Sequence, residues 1–522
     1  MLRTHLYADP SGLNVHDIVL RSCAEFSGKT ALVDASCGRR IAFGEYGSLV
    51  ESLARGLVSA GLRPGEIVAI LLPNSWEFAV TYHAATLAGA VPTLLNPSYR
   101  EREIRYQLEN SGAAFLITDG PLLETVNLSG LALRRVYTTR TRRTGCEEFS
   151  GLLRFNSATL PQPANDPQKL LAALPYSSGT TGMPKGVMLS HYNLVANVYQ
   201  VLGPNAAPLI ASDVMLCFLP LYHIYGLTVA LTLSLTLGST LVLMPRFDVL
   251  KLCSLITQEG VTMMPVVPPA INAMCQAAEA GNFPKDHRIR WIKSGAAPLA
   301  PELARKLTEL TGIAVNQGYG MTEASPVTHV GFCEPPEMNR PASIGQPLAM
   351  TECRILDAEG NEVSPGESGE LVMRGPQFMV GYWKAPEATA AALRDGWYFS
   401  GDIVRRDDEG FFYVLDRSKE MIKYKGFPVA PAEVEAVLLE HPAVRDCGVV
   451  AKPDVAAGEI PCAFIVLRDN YAGSPALDEE LRSFVAERLS RHKQPREIHF
   501  VNHVPRTPSG KILRRELRKA LQ

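Results

Sequence analysis

The sequence predicts an α/β protein, with a large N-terminal body of helix-covered β-sheets followed by a small α+β C-terminal domain. Over the first 400 residues, short β-rich runs alternate with amphipathic stretches, a pattern typical of sheets covered by helices. Near residue 416 the amino-acid composition changes, and a basic segment, DRSKEMIKYKG, occupies 416–426. We therefore place a domain boundary at Asp416, which gives domains 1–415 and 416–522.

One βαβ unit illustrates the N-terminal pattern. Residues 67–72 (IVAILL) have the composition of a buried strand, and 91–95 that of the next one. Between them, 75–87 is a predicted helix that Ser75 caps and Gly89 closes. A second example starts in the apolar run at 261–268 and continues into a helix after two prolines.

The run from Val214 to Pro245 contains no Asp, Glu, Lys or Arg over 32 residues, which is long enough to cross a bilayer. Pro220, His223 and Gly226 interrupt its start, and Thr and Ser alternate with Leu further on. These features favour a buried helix followed by a buried strand over a membrane span.

The small domain shows its own helix and strand signals. Pro431 opens a helix that places Val434, Val437, Leu438 and His441 on one face. Strands are predicted at 445–450 and 462–467, followed by a helix carrying Leu481, Phe484, Val485 and Leu489.

Composition excludes some classes of function. The 522 residues include 51 basic and 53 acidic side chains, a formal charge of −2, so nucleic acid is not the expected main ligand. The ten cysteines contain no Cys-x-x-Cys pair, which predicts reduced thiols, and the first residues lack an apolar signal segment. We expect a cytoplasmic protein without a transmembrane segment, and the sequence leaves the oligomeric state open.

A glycine- and hydroxyl-rich loop, YSSGTTGMPKGV at 176–187, follows a predicted strand. Glycines let backbone N–H groups approach phosphate, hydroxyls donate from several directions, and Lys185 supplies charge. The spacing resembles a P-loop, but Gly186 stands where that motif needs Ser or Thr for magnesium. The loop predicts polyphosphate binding by a protein that is not a P-loop nucleotidase.

This loop resembles the signature of the adenylate-forming (AMP-binding) superfamily, and in the acyl-CoA synthetase branch the chain is similar to the 4-coumarate ligases. Further matching segments follow in the family's order: SGAAPL at 294–299, GYGMTE at 318–323, GELVMRG at 369–375, YFSGD at 398–402, DRSKEMIKYKGF at 416–427 and PRTPSGKI at 505–512. The resemblance implies the adenylate-forming enzyme fold with a mobile C-terminal domain. It also implies ATP, Mg²⁺ and coenzyme A as cofactor and co-substrates, and a small-molecule carboxylic acid as substrate.

The resemblance assigns most of the expected nucleotide contacts. The phosphate-binding residues would be Ser177, Ser178, Gly179, Thr180, Thr181, Gly182 and Lys185. Thr322 suits the α-phosphate and Glu323 suits Mg²⁺. The adenosine site would comprise Ala296, Ala297, Pro298, Gln317, Gly318, Tyr319, Gly320, Asp402 and Arg417, with Tyr319 stacking on adenine and Asp402 accepting the ribose hydroxyls.

Two lysine regions imply a two-step mechanism. In the family the small domain rotates about a hinge, here Asp416, between the two half-reactions. Lys511 would enter the site for adenylation. After rotation, the 419–427 loop would replace it, with Lys419 and Lys423 near the intermediate and Lys425 and Gly426 near the coenzyme A channel. Pro428 stands where plant 4-coumarate ligases have glutamine, and it has no N–H to offer, so that contact is not carried over.

The acyl site is projected from the same resemblance. Tyr225, Lys293, Gly295, Pro326 and Val327 would form the pocket, with the nearby glycines leaving a flat channel. His223 would gate the pocket near the incoming thiol. Thr228 and Val229 replace the Asn and Ser usual in plant enzymes, which removes a polar environment and leaves room for medium-chain fatty acids.

The resemblance therefore implies an acid–thiol ligase for 4-coumarate and related hydroxycinnamates. A medium- or long-chain fatty-acyl-CoA synthetase is an alternative on the same motifs. A luciferase-like monooxygenase shares every adenylation motif, and a non-catalytic AMP-binding protein is the remaining alternative. The joint presence of Lys185, Glu323, Asp402 and Lys511 argues against the last.

Overall fold

The computed structural model describes residues 10–124, 126–154, 158–161, 166–177, 184–203, 208–333, 338–417, 420–424, 427–454, 457–489, 491–507 and 510–521. The strands in this part of the chain, in chain order from β1 to β28, are Thr30–Asp34, Arg39–Ala42, Ile67–Leu71, Val91–Leu94, Phe115–Thr118, Arg135–Thr138, Glu147–Glu148, Leu171–Ala173, Tyr176–Ser177, Lys185–Ser190, Val214–Cys217, Thr240–Leu243, Met263–Val266, Trp291–Ser294, Ala314–Gly320, Val327–Val330, Gln346–Pro347, Glu352–Leu356, Ser368–Arg374, Gly381–Tyr382, Leu393–Arg394, Trp397–Arg406, Phe412–Arg417, Ile422–Tyr424, Phe427–Val429, Val444–Asp454, Gly458–Leu467 and Glu497–Phe500.

The α-helices, from α1 to α14 in chain order, are Val15–Glu25, Phe43–Ser59, Trp76–Leu87, Glu101–Ser111, Phe149–Leu152, His191–Leu202, Leu233–Leu237, Val249–Glu259, Pro268–Glu279, Pro301–Thr311, Pro386–Ala392, Pro431–Leu439, Pro475–Ala486 and Arg514–Lys519. A π-helix, Tyr225–Thr232, leads directly into α7. Short 3₁₀ turns occupy Pro10–Gly12, Gly120–Leu123, Thr322–Ala324 and Arg491–Lys493.

A nine-stranded sheet forms the centre of the N-terminal body, in the order β17-β16-β15-β14-β13-β11-β12-β1-β2. Its inner strands β1 and β11 to β15 run parallel to one another, and β12, β13 and most of β14 are buried. Because parallel strands need helical crossovers, α8, α9 and α10 lie between successive strands in the chain. The SGAAPL segment (294–299) starts at the last residue of β14, and the GYGMTE segment (318–323) starts within β15 and continues beyond its carboxyl end.

The predicted βαβ unit is confirmed. Strand β3 pairs in parallel with β4, and α3 connects them. The Ser75 hydroxyl accepts a hydrogen bond from Phe78 N at 3.2 Å, which caps the helix, and Gly89 adopts φ +74° after its end. These strands belong to a five-stranded parallel sheet in the order β4-β3-β5-β6-β7.

The uncharged run at 214–245 folds as a buried strand, a helix and a second buried strand. It comprises β11, the continuous helix from the π-helix to α7, and β12, whose residues are all buried. In the described part of the chain no helix is both long and apolar enough to cross a membrane. The prediction of a buried helix and strand is confirmed.

The C-terminal part has a separate hydrophobic core. It begins at Ile422 and gathers side chains from α12, α13 and the sheet ordered β25-β24-β27-β26, with β28 paired to β27. Val434, Leu438, His441 and Leu481 are all buried there, as their spacing predicts. The observed strands β26 and β27 extend beyond the predicted ranges because they form one long antiparallel ladder. The predicted fold class is confirmed, while the boundary at Asp416 stays a prediction.

Candidate active site

One cavity of about 3500 Å³ connects the N-terminal body with the C-terminal part. Its walls include most of the predicted site residues, namely Ser177, His223, Tyr225, Lys293, Gly295, Ala296, Ala297, Pro298, Gln317, Gly318, Tyr319, Gly320, Thr322, Glu323, Pro326, Val327, Asp402 and Lys511. The fold thus brings together residues that lie in separate segments of the sequence.

Some predicted residues lie outside the described residues. In the phosphate loop these are Ser178, Gly179, Thr180, Thr181 and Gly182, and in the basic segment they are Lys419, Lys425 and Gly426. Arg417 and Lys423 are described by their backbone: Arg417 ends β23, opposite Asp402, and Lys423 lies in β24, opposite Pro428.

Glu323 is the centre of a buried polar cluster. Its Oε1 accepts hydrogen bonds from the Ser177 hydroxyl at 3.1 Å and from the Tyr382 hydroxyl at 2.9 Å. Burial, followed by the nearby Glu323 charge, raises the pKa of Tyr382, so this phenol stays a hydrogen donor. The carboxylate therefore has fixed partners, one of them at the entrance to the glycine-rich loop.

Lys185 lies at the other end of that loop. It pairs with Ser177 across the antiparallel strands β9 and β10, and its Nζ lies 5.3 Å from the centroid of the Tyr382 ring. The loop is thus flanked by two strands, whereas a P-loop leads from a strand into a helix. The structure supports the distinction from P-loop nucleotidases.

Tyr319 and Asp402 meet across the cavity. The Tyr319 hydroxyl donates a hydrogen bond to Asp402 Oδ2, and the Asp402 backbone N–H donates to Ser400 Oγ at 3.1 Å. Beneath Tyr319, the buried His329 packs edge to face at 5.7 Å between ring centroids. These contacts fix the plane of the Tyr319 ring, as a stacking platform requires.

The 296–298 segment lines the same wall, and Ala296 adopts φ +67° there. Gln317 underlies this wall: its Oε1 accepts from Leu299 N at 3.0 Å, and its Nε2 donates to Pro341 O at 2.6 Å. The Gln317 side chain thus holds the main chain of the wall in place.

His223 lines the same cavity. Burial lowers its pKa to about 4, so the imidazole is neutral near pH 7. Its Nδ1 accepts from the Tyr225 backbone N–H at 3.3 Å, which places the ring proton of the neutral form on Nε2. A neutral donor is consistent with a gating role and with no general-base work.

Tyr225 and Gly295 are in close contact. The Tyr225 hydroxyl donates to Lys293 O at 3.2 Å, and a Cβ placed on Gly295 would lie 3.0 Å from the Tyr225 ring. A Cβ on Gly320 would lie only 2.0 Å from Pro326 O. These two glycines thus make room for Tyr225 and for the Pro326 turn, and the flat channel expected from the glycines stays a prediction.

Lys293 brings a buried ammonium group to the pocket. Its Nζ donates to Gly331 O at 2.6 Å and to Asn316 Oδ1 at 3.2 Å, and it lies 5.4 Å from the centroid of the Trp291 ring. Burial lowers the pKa of Lys293 to about 8. The same cavity is also lined by the apolar residues Val229, Leu233, Met263, Pro326, Val327 and Val330.

Lys511 reaches the cavity from the C-terminal part. The preceding Gly510 lies against the start of α9, where a Cβ on Gly510 would be 3.2 Å from Pro269 Cδ. In this structure, Lys511 lines the same cavity as Thr322, Tyr319 and Asp402.

The sequence reasoning missed Tyr382 and His329. Tyr382 is 59 residues from Glu323 along the chain, and it comes to the site because β20 pairs with β10. His329 is buried in β16, where it had no distinguishing neighbour in the sequence. In the sequence, only the Gly-Tyr pair at 381–382 pointed weakly to Tyr382, and no pattern pointed to His329.

The chain is similar to known enzymes of one family. A family model described as AMP-binding enzyme matches residues 19–383, and the AMP-binding enzyme C-terminal domain matches 433–511. The chain is 41% identical to 4-coumarate--CoA ligase 5 of Oryza sativa subsp. japonica, over 98% of this chain and 96% of the relative. It is 38% identical to a 4-coumarate--CoA ligase of Pinus taeda, over 98% and 95%.

Two solved structures share the whole fold. The anthranilate CoA ligase AuaEII, in complex with anthranoyl-AMP, superposes with a TM-score of 0.88 at 28% identity, over 97% of each chain. A benzoate CoA ligase from Burkholderia xenovorans LB400 gives the same TM-score and identity, over 97% of this chain and all of its own. The predicted resemblance is confirmed, and the chain belongs to the AMP-binding enzyme family.

Proposed function

We propose that this protein is an AMP-forming acid–thiol ligase. A carboxylate oxygen of the acid attacks the α-phosphorus of ATP, and pyrophosphate leaves. The sulfur of coenzyme A then attacks the acyl carbon, and AMP leaves. The observation that carries this proposal is the one cavity that unites the Glu323 cluster, the Tyr319–Asp402 pair and Lys511.

The first step joins two anions, so the site needs cations and aimed hydrogen donors. Ser177, Lys185 and the intervening loop hold the phosphates, and Thr322 donates its hydroxyl to the α-phosphate. Glu323 would hold Mg²⁺, because a buried carboxylate oxygen is a ligand that this ion prefers. Tyr319 carries the adenine, and Asp402 accepts the ribose hydroxyls, for which Arg417 at the paired strand position supplies a further contact.

Lys511 stabilises the charge that develops at the α-phosphate during adenylation. The contact of Gly510 with Pro269 supports a conformation that serves this step. For thioester formation the small domain, beginning at the hinge Asp416, rotates and brings the 419–427 loop to the intermediate. Lys419, Lys423, Lys425 and Gly426 then face the acyl-AMP and the thiol, and His223 opens the way for the sulfur.

Aromatic acids of the 4-coumarate type are the proposed substrates. The relatives named above act on 4-coumarate, anthranilate and benzoate by their names. In this chain, Pro326 and Val327 offer an apolar wall for a ring, and Tyr225 offers a phenol oxygen at its edge. The further apolar residues Leu233, Met263 and Val330 in the lining of the cavity favour fatty acids as a second candidate class.

An exchange assay tests the ligase and ranks its acids. Labelled pyrophosphate should enter ATP when a cinnamate is present, and the panel should include benzoates and C6–C16 fatty acids. No exchange with any acid would overturn the ligase, while a clear preference for fatty acids would replace 4-coumarate by the second class.

The two-conformation mechanism predicts a split between the half-reactions for Lys511→Ala. We expect acyl-AMP formation to fall by about 10²–10³-fold, because a cation aimed at the transition state is lost. Thiolysis of acyl-AMP supplied from outside should be unchanged. Lys519→Ala, at the exposed end of α14, is the matched control. Equal loss of both steps would refute the rotation.

We also propose a cytoplasmic location. All ten cysteines are free thiols, which supports a reducing compartment.

A further inference from the structure

The loop that carries Lys511 is closed by its own backbone. Thr507 N donates to Lys511 O at 2.8 Å, and Gly510 N donates to Thr507 O at 2.8 Å. Lys511 N donates to Thr507 Oγ1 at 3.1 Å, and an antiparallel bridge joins Arg506 to Ile512 at the base. Hydrogen bonds among Thr507, Gly510 and Lys511 thus hold the two ends of the 507–511 segment together.

Arg506 ties this loop to the core strand β26. Its Nη1 donates to Gly510 O at 2.8 Å, while Nη2 and Nε donate to the two carboxylate oxygens of Asp446 at 2.6 and 3.2 Å. A guanidinium that makes three bonds in its own plane has a fixed orientation. Asp446 is in turn fixed by its place in β26, and its Oδ1 accepts from Cys447 N at 2.9 Å.

The position of the Gly510 carbonyl matters because the next residue is Lys511. Gly510 adopts φ +85° and packs against Pro269 of the N-terminal body. A rotation of the 507–511 loop would therefore change both the contact between the two parts and the direction of the Lys511 side chain.

We propose that Arg506 and Asp446 are positioning residues for the adenylation step, acting through the Gly510 carbonyl on Lys511. The proposal rests on the proposed function. Both residues line the same cavity, but the role proposed for them is indirect: the pair holds the lysine loop to β26, so that rotation of the small domain delivers Lys511 as part of a rigid unit. Thioester formation does not use Lys511, so this step does not depend on the pair.

The test compares the two half-reactions in the full chain. Arg506→Met should lower the turnover of pyrophosphate exchange by about 10–100-fold, because a misplacement near 1 Å can cost that much. The KM values for ATP and acid should stay within about twofold, because the substitution does not change how the substrates bind in the ground state. Thiolysis of supplied acyl-AMP should keep its wild-type rate.

A matched control removes another ion pair of the same strand. Lys452 pairs with Glu497 at 2.6 and 2.7 Å, and it lies about 20 Å from Asp446 along β26. Lys452→Met should leave both half-reactions at the wild-type rate. Asp446→Leu should reproduce the Arg506→Met loss, and the double variant should lose no more than either single one, because the two residues act as one unit.

Hydrogen exchange of the 505–513 segment gives a readout independent of activity. Arg506→Met should speed exchange at the Thr507, Gly510 and Lys511 amides and leave β26 protected. Equal losses in both half-reactions, additive losses in the double variant, or unchanged exchange in the loop would each overturn the positioning role. If the wild-type protein catalyses no pyrophosphate exchange with any acid, the proposed function fails instead. The hydrogen-exchange comparison then still tests whether the Arg506–Asp446 pair holds the lysine loop in place.

Discussion

At the scale of single residues, the hydrogen bond of Tyr225 bears on the proposed choice of substrate. Its hydroxyl hydrogen is directed at Lys293 O, so the lone pairs of the phenol oxygen remain to meet the acyl group. Such an oxygen accepts from a donor, and the 4-hydroxyl of 4-coumarate is one. Gly295 keeps the ring in place, because any larger residue would collide with it.

Tyr225→Phe should therefore reduce the preference for 4-coumarate over cinnamate. We expect the ratio of their kcat/KM values to fall by about 5–10-fold, the effect of one neutral hydrogen bond. Pyrophosphate exchange with each acid measures the ratio, and cinnamate, which lacks the 4-hydroxyl, serves as the internal control. An equal loss with both acids would show that Tyr225 only shapes the pocket.

At the scale of elements, a buried ion cluster joins the segments that carry the two lysine regions. Arg514, at the start of α14, donates to Glu420 at 2.7 Å and to both carboxylate oxygens of Glu435 in α12 at 2.7 and 2.8 Å. Its Nε donates to Val449 O in β26 at 3.0 Å. Burial raises the pKa of Glu435, and Arg514 opposes that rise. The cluster thus connects the chain just before Lys423 with the chain just after Lys511.

Arg514→Met should destabilise the small domain strongly. Removing one partner leaves Glu435 buried without its cation, which typically costs about 3–5 kcal/mol. Hydrogen exchange of β26 and β27 in the full chain measures this loss. Arg515→Met, the exposed neighbour, should change stability by less than about 0.5 kcal/mol. Equal effects of the two substitutions would contradict the importance of the cluster.

At the scale of the whole molecule, buried neutral histidines set the response to acid. Burial lowers the pKa values of His83, His191 and His329 to about 3. The unfolded chain binds protons at these residues below pH of about 6.5, where the folded chain does not. Their contribution to stability is therefore present above that pH and is lost as the pH falls toward 3.

Stability should fall steeply with acidification below pH 6. Three such histidines together predict that the free energy of unfolding falls by about 4 kcal/mol per pH unit between pH 6 and pH 4. The urea midpoint of the N-terminal body, followed by tryptophan fluorescence, measures it. The exposed His503 provides a control, since His503→Gln should leave the slope unchanged. A constant midpoint from pH 7 to pH 4.5 would contradict this account.

Across these scales, the sequence predicted what local signals encode. The Ser75 cap and the Gly89 stop define α3, and Pro431 with its apolar face defines α12. The ordered motifs predicted which residues line the cavity. Contacts such as Tyr382 with Glu323, or Arg506 with Asp446, join residues that are 59 and 60 positions apart in the sequence, and no local pattern encodes them. The same holds for Gly295, where the ring of Tyr225 leaves no room for a larger side chain.

The hydrogen bond between Ser177 and Glu323 has a consequence for the order of binding. A free cation that approaches Glu323 must compete with two hydroxyl donors for the same carboxylate oxygen. Under the proposed function, ATP would offer phosphate oxygens to which the Ser177 hydroxyl can turn, which would leave Glu323 with one hydrogen donor fewer when Mg²⁺ arrives. Ser177 would then couple metal binding to nucleotide binding through the reorientation of one hydroxyl group.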